Sequence, residues 1–447
     1  MIKKNYTIAD IYCYLVITIF FTFTAIFTIY FYDYVLSNNN VLFFLLLLYL
    51  NFLLLIFFIF KKKNYIIINS IFFSFLFIFA FEGYLQVGSG NYNNHNKKDN
   101  VFNFIQKNPK KNYIPIVYPR SILETEKNYK IKDQEFIPLS GISRKRTVLC
   151  NESNFWTIYN SDRHGFNNND DLWDKKIKLI VFGDSFSHGN CVSNQDQWVN
   201  KLKKKIPNTL NLSMGGNGPL LTMATIREYF EIMMPEIIIW QYFESHENRI
   251  LLEKKNSFLE KYFQDKNFKQ DLYSKREEVD VYLQKFIKLN SFVNTEKKTR
   301  NLEQKSKFTS LKSVIRLDYT RQLFGVVRIN YNLLENDLDG ILQKTDEFIN
   351  RRAEKYFLYI PTYQSVISGK QAFYNIDKKK IFNIALKNNF KIISTDLLLK
   401  NYSNPKDLYP GKDLHFNKKG YDLVFKTVMQ CLDYYNKNIN SNFCEPN

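Results

Sequence analysis

The apolar run Ile177-Lys178-Leu179-Ile180-Val181-Phe182 breaks off at Gly183-Asp184-Ser185-Phe186-Ser187. Such a run, closed by Gly-Asp-Ser, predicts a buried strand that turns at once into a helix. That turn puts a serine hydroxyl at the carboxyl edge of a sheet, where open α/β folds place their ligands. Further apolar strand patterns fall at 209–214, 236–243, 355–360 and 390–394, and helical patterns at 195–205, 219–234, 370–386 and 418–435. Repeated strand-then-helix alternation with apolar strands predicts a parallel sheet covered on both faces. The expected fold class is therefore α/β, a three-layer α/β/α sandwich on a five-stranded parallel sheet.

The flanks of this domain read differently. Residues 11–32 and 41–60 are uncharged apolar runs of the ~20 residues that cross a bilayer, and 65–81 is a shorter third run interrupted by Asn69. The first run is too long for a signal peptide, and no small-residue cleavage site follows it. Lys3 and Lys4 precede the first run, and Lys61, Lys62 and Lys63 separate the second from the third, whereas the loop 33–40 has no Lys or Arg. Basic short loops stay on the cytoplasmic side, so three transmembrane helices would deliver everything after Glu82 to the outer side. The expected division is a membrane anchor at 1–86, a linker with extended segments at 87–144, the α/β domain at 145–438 and a tail at 439–447. A Lys-rich helical insertion at 249–335 follows the third strand, either as a solvated outgrowth or as a lid over the serine.

A net charge of +19 raises nucleic-acid binding, but the excess is scattered Lys without an Arg-rich stripe or a nucleic-acid motif, and no such partner is expected. Neither a phosphate-binding glycine loop nor a metal-ligand spacing occurs, so no cofactor and no metal are expected. Cys150 and Cys191 form a disulfide candidate in an exported domain. The first closes the first strand of a predicted hairpin around Asn151-Glu152-Ser153-Asn154, and the second follows the serine turn. Cys431 and Cys444 are a second pair, and free buried thiols are the alternative for both.

Acyl chemistry at a serine needs a hydroxyl, a base, a group that orients the base and donors for the developing oxyanion. Ser185 supplies the hydroxyl and, from its backbone N–H, one donor. The second strand ends in Asn211-Leu212-Ser213-Met214-Gly215-Gly216-Asn217, a glycine turn on the same edge, and the third in Phe243-Glu244-Ser245-His246-Glu247-Asn248. Near the carboxyl terminus Asp413-Leu414-His415 sets a carboxylate two residues before a histidine, just ahead of the last helix. The chain has five histidines, and His415 is the candidate base.

These blocks, in this order over residues 145–435, resemble the SGNH/GDSL hydrolase superfamily. The resemblance implies a flavodoxin-like sheet order, Ser185 as nucleophile, His415 as base and Asp413 as the orienting acid. It implies the Ser185 and Gly216 N–H groups as oxyanion donors, with His246 standing where the family has an asparagine and Asn217 and Asn248 as further candidates. The Asp-x-His spacing, in place of Asp-x-x-His, resembles membrane-associated alginate-type O-acetyltransferases of the same superfamily. NSDRHGFNN upstream of the serine strand and Phe81-Glu82-Gly83-Tyr84-Leu85 are similar to membrane-anchored bacterial members that modify surface carbohydrate. The implied activity is cleavage of O-acyl esters on a cell-surface glycan or lipid. An O-acyltransferase served by a membrane acyl-donor protein and a non-catalytic carbohydrate-binding or assembly protein are the alternatives. The implied location is the bacterial inner membrane, multi-pass, with the catalytic domain periplasmic.

Overall fold

A computed structural model describes residues 101–126, 136–296, 331–368, 376–412, 414–438 and 440–446, together with 78, 79, 82 and 317. The chain divides into two compact units, Met1–His95 with Lys297–Asn330 and Asn96–Glu296 with Tyr331–Asn447, and almost all described residues belong to the second. The three expected transmembrane runs lie outside the described residues, apart from Ile78 and Phe79. Among the described residues no helix is long and apolar enough to cross a membrane.

The second unit opens with a small sheet. β1 (Tyr113–Pro115) pairs parallel with β2 (Arg146–Cys150), and β2 pairs antiparallel with β3 (Thr157–Asn160). The expected hairpin is β2–β3, turning with Asn154 at φ 63°. Within the expected linker and extended segments at 87–144, β1 is followed by the helix Pro119–Glu126, and Val117, Ile122, Leu123, Ile137 and Leu139 are buried.

The central sheet contains β4 (Leu179–Phe182), β5 (Thr209–Asn211), β6 (Ile237–Phe243), β7 (Glu354–Ile360), β8 (Lys391–Ser394) and β9 (Phe443–Cys444). Its order is β5-β4-β6-β7-β8-β9, and every pair is parallel. The first five strands follow the flavodoxin-like order, whose switch point lies where the chain leaves β4 and β6 in opposite directions. The sheet has six strands, correcting the expected five. The extra strand comes from the presumed tail: Phe443 and Cys444 pair with Ile392 and Ile393, and a Cys431–Cys444 disulfide ties them to the last helix. A two-residue strand has no period of its own to read, and it emerges only in its tertiary pairing with β8.

All four residues of β4 are fully buried, as a central parallel strand requires. Leu179 and Val181 face one helical layer, in which Trp198, Val199 and Leu202 of the helix Trp198–Lys205 meet Val424, Val428 and Leu432 of the helix Lys418–Lys437. Each helix turns an apolar stripe inward, while Lys204 and Lys205 of the first and Lys419 of the second are exposed. Each such fully buried aliphatic side chain contributes about 1.5–3 kcal/mol. The helices Pro219–Met233 and Tyr331–Ile349 pack on each other in the opposite layer. The described part of the insertion joins that layer. Its helix Ser257–Gln264 lies on Pro219–Met233, and Arg276 donates to the carbonyls of Gly141 (2.8 Å) and His164 (2.9 Å). It thus braces the polar loop that feeds β4.

Candidate active site

The serine turn is built by close approach of two strands. A side chain at Gly183 would place its Cβ 2.6 Å from Gln241 Oε1 and 2.9 Å from Gln241 Cβ on β6, so only glycine lets β4 turn here. Gln241 Oε1 accepts the Asp184 N–H at 3.0 Å and holds the Ser187 hydroxyl at 3.2 Å. Asp184 caps the short helix Ser185–His188, its Oδ1 accepting the Phe186 N–H at 3.0 Å. Ser185 is the first helical residue, at the carboxyl end of β4 and beside the switch point.

His415 arrives from the opposite end of the chain. Asn417 caps the helix Lys418–Lys437, its side chain accepting from the N–H groups of Lys419 and Gly420, and this fixes the residues just before it. His415 Nε2 lies 2.8 Å from Ser185 Oγ. Its ring rests against Phe186, 5.1 Å between centroids, and Phe186 in turn stacks on Phe243. Among the described histidines only this one reaches the serine. Burial pushes His164 down to about 4 and His188 down to about 3, so both are neutral core residues near pH 7.

The carboxylate on the other side of the imidazole is Glu152. Its Oε2 lies 2.9 Å from His415 Nδ1 and also accepts the His415 backbone N–H at 2.9 Å. A carboxylate there holds the proton on Nδ1 and turns the Nε2 lone pair toward Ser185, the tautomer that a general base needs. Asp413, the acid expected from sequence, lies outside the described residues. Glu152 stands in the turn between β2 and β3, which two contacts tie to the serine loop. Cys150 and Cys191 form a disulfide with a Cα–Cα distance of 5.4 Å, and Ser153 Oγ donates to the Cys191 carbonyl at 2.8 Å. The sequence held one signal for Glu152. It is the only carboxylate in the turn following Cys150, and the proposed Cys150–Cys191 pair brings that turn to the serine. Glu152, Cys191 and His415 are also close enough for metal ligation. The Cys191 sulfur is bonded to Cys150, however, and offers no thiolate.

The oxyanion side differs from the sequence expectation at His246. Its Nε2 is 2.8 Å from Asp184 Oδ2, and its Nδ1 accepts the Phe243 N–H at 3.3 Å. Burial, reinforced by the Arg249 cation, pushes His246 down to about 4, so the ring is neutral near pH 7 and has one N–H. That proton lies on Nε2 and goes to Asp184, which leaves His246 none for an oxyanion. Burial alone would raise the Asp184 carboxyl. His246, Arg249 and the Phe186 N–H outweigh burial and hold it below the usual carboxylate range. Gly216 sits in the expected turn with φ +84°, a conformation that favours glycine, and among the described residues its N–H and that of Ser185 have no acceptor. Asn217 is buried, Asn248 donates its N–H to the Ser245 carbonyl at 3.1 Å, and sequence reasoning did not single out Arg249, whose Nη1 reaches Asp184 Oδ2 at 3.3 Å.

Fold and site together define an α/β protein with a serine, a histidine and a glutamate in series at the carboxyl edge of a parallel sheet. No family's sequence profile matches the chain, and no curated protein does. Among solved structures it is similar to lipases, acylhydrolases and esterases. A lipase/acylhydrolase from Enterococcus faecalis shares 13% identity over 57% of this chain and 95% of its own, with a TM-score of 0.31. An esterase from Pseudoalteromonas sp. shares 12% over 58% and 98%, with a TM-score of 0.32. A two-domain esterase active on acetylated mannans shares 11%, and this chain spans about half of it: 59% of this chain and 51% of that one, with a TM-score of 0.30. At such scores the reading of function rests on the geometry of the site itself.

Proposed function

We propose that this chain is a serine esterase of the SGNH type that cleaves O-acyl esters. The observation that carries this is the continuous series Glu152–His415–Ser185, with contacts of 2.9 and 2.8 Å. As Ser185 Oγ attacks the acyl carbon, its proton passes to His415 Nε2, and Glu152 stabilises the imidazolium that forms. Collapse of the tetrahedral adduct breaks the bond to the leaving alcohol, whose oxygen takes the proton back from Nε2. Water then enters by the same route and releases the acid and free Ser185. The N–H groups of Ser185 and Gly216 are available to the oxyanion. His415 is 22% exposed on its side chain and Glu152 10%, so the site opens to solvent on the histidine side.

Two features point to transfer, the membrane anchor and the Asp-x-His spacing; hydrolysis is favoured because the spacing concerns Asp413, whereas the carboxylate on His415 is Glu152, and an anchor serves a hydrolase equally. The substrate class we propose is an acylated cell-surface glycan or lipid. The test offers an acetylated oligosaccharide in ¹⁸O-water with excess unmodified acceptor. Labelled acetate is the expected product, and acetate appearing on the acceptor sugar would make the protein a transferase.

We further infer that the three amino-terminal apolar runs anchor an exported domain in the bacterial inner membrane. The two disulfides support an oxidising compartment. Alkaline phosphatase fused to the carboxyl terminus is expected to be active in cells, and a silent fusion of normal abundance would place the domain in the cytoplasm.

A further inference from the structure

His246 supplies no third donor to the oxyanion side of this site, because its one N–H goes to Asp184. Arg249 reaches the same carboxylate oxygen. It is the third residue of the helix Glu247–Glu253, which follows β6 on the carboxyl edge. Its stem packs over the glycine turn: a Cβ at Gly218 would lie 2.6 Å from Arg249 Cβ. Its Nη1 donates to the Asn217 carbonyl at 2.8 Å, one residue beyond Gly216, and approaches Asp184 Oδ2 at 3.3 Å. Ser185 Oγ meets the same carboxylate oxygen at 3.4 Å. Guanidinium and nucleophile are thus neighbours across one oxygen atom, and the same Nη1 is bonded to the turn that carries Gly216. The Arg249 side chain is 21% exposed, and among the described residues no group accepts from its Nε or Nη2 hydrogens. A guanidinium carries five N–H donors in a rigid fork. Here part of the fork is fixed by protein and part remains free at a partly open surface.

We propose that Arg249 is the third oxyanion donor, a catalytic residue that hydrogen-bonds the tetrahedral intermediate together with the Ser185 and Gly216 N–H groups. This rests on the serine-esterase reading of the site. The two fixed contacts orient the fork before the substrate arrives, so the donor needs no reorganisation as charge develops. Asp184 and His246 then form its support: the buried carboxylate holds the guanidinium, and the neutral histidine holds the carboxylate without adding a second charge.

The test compares the wild type with Arg249→Ala and Arg249→Lys on p-nitrophenyl acetate and on the matched thionoester, whose C=S sulfur is a poor acceptor. Fluorophosphonate labelling of Ser185 is followed in parallel. Loss of one oxyanion donor costs about 10²–10³ in kcat, with KM little changed because the charge exists only in the transition state. In Arg249→Ala the oxygen-ester to thionoester rate ratio is expected to fall by a similar factor, which a merely structural role would not produce. If the alanine variant does not fold, Arg249→Lys, which keeps a cation beside Asp184, is expected to show the same fall in ratio, in smaller measure. Wild-type kcat and an unchanged ratio in a folded variant would overturn the proposal while leaving the esterase intact. Absence of turnover and of Ser185 label in the wild type would overturn both.

Discussion

Replacing Glu152 with glutamine lowers kcat by about 10³–10⁴ while leaving the fold intact. The amide keeps the size of the carboxylate but not its charge. It no longer stabilises the imidazolium, and it can present an N–H to Nδ1, which reverses the tautomer and points a proton at Ser185. The backbone N–H of His415, which shares Glu152 Oε2, retains an acceptor if the amide oxygen turns to it, so little stability is at stake. The measurement is kcat and KM on an acetyl ester, alongside the thermal midpoint. Asp413→Asn is the paired variant and is expected to remain close to wild type. A large loss in Asp413→Asn with none in Glu152→Gln would return the orienting role to Asp413.

Ser185→Ala removes ester hydrolysis almost entirely, by about 10⁶-fold where serine and histidine act as a unit. Ser185 is 7% exposed at the first position of its helix and does not provide the cap, which is Asp184, so the alanine variant is expected to fold normally. His415→Ala should be nearly as inactive, and the double variant no worse than either, because the two residues perform one proton transfer. Stepwise additive losses would mean that the serine and histidine contribute through separate routes.

The strand-and-turn core was legible because its determinants are local. A fully buried parallel strand must be apolar throughout, and Leu179–Phe182 is. A turn that passes over Gln241 must carry glycine, and Gly183 does. The serine, the glycine turn and the histidine loop could be placed on one edge because parallel strands end there. The orienting carboxylate was not legible in the same way. Glu152 and His415 are 263 residues apart, and Glu152 lies in the turn of a separate small sheet that the Cys150–Cys191 bond and the Ser153–Cys191 hydrogen bond tie to the serine loop. His246 was found at the right strand end but assigned a donor role that its neighbours deny it. Only three dimensions show that Phe243 occupies one ring nitrogen and Asp184 the other. The same blindness hid Arg249, an ordinary helix residue by sequence that becomes part of the site because Asp184 and the Asn217 carbonyl converge on it. The sixth strand is too short for any pattern and shows only in its pairing with Ile392 and Ile393 and its disulfide to Cys431.

The most direct measurement is covalent. The folded wild-type domain is treated with a fluorophosphonate, digested without reduction, and the adduct mapped by mass spectrometry, with the Glu152→Gln protein in parallel. One adduct is expected, on Ser185, forming far more slowly in the variant. Modification of another residue, or an unreactive Ser185 in the folded wild type, would contradict the role of Ser185 as nucleophile.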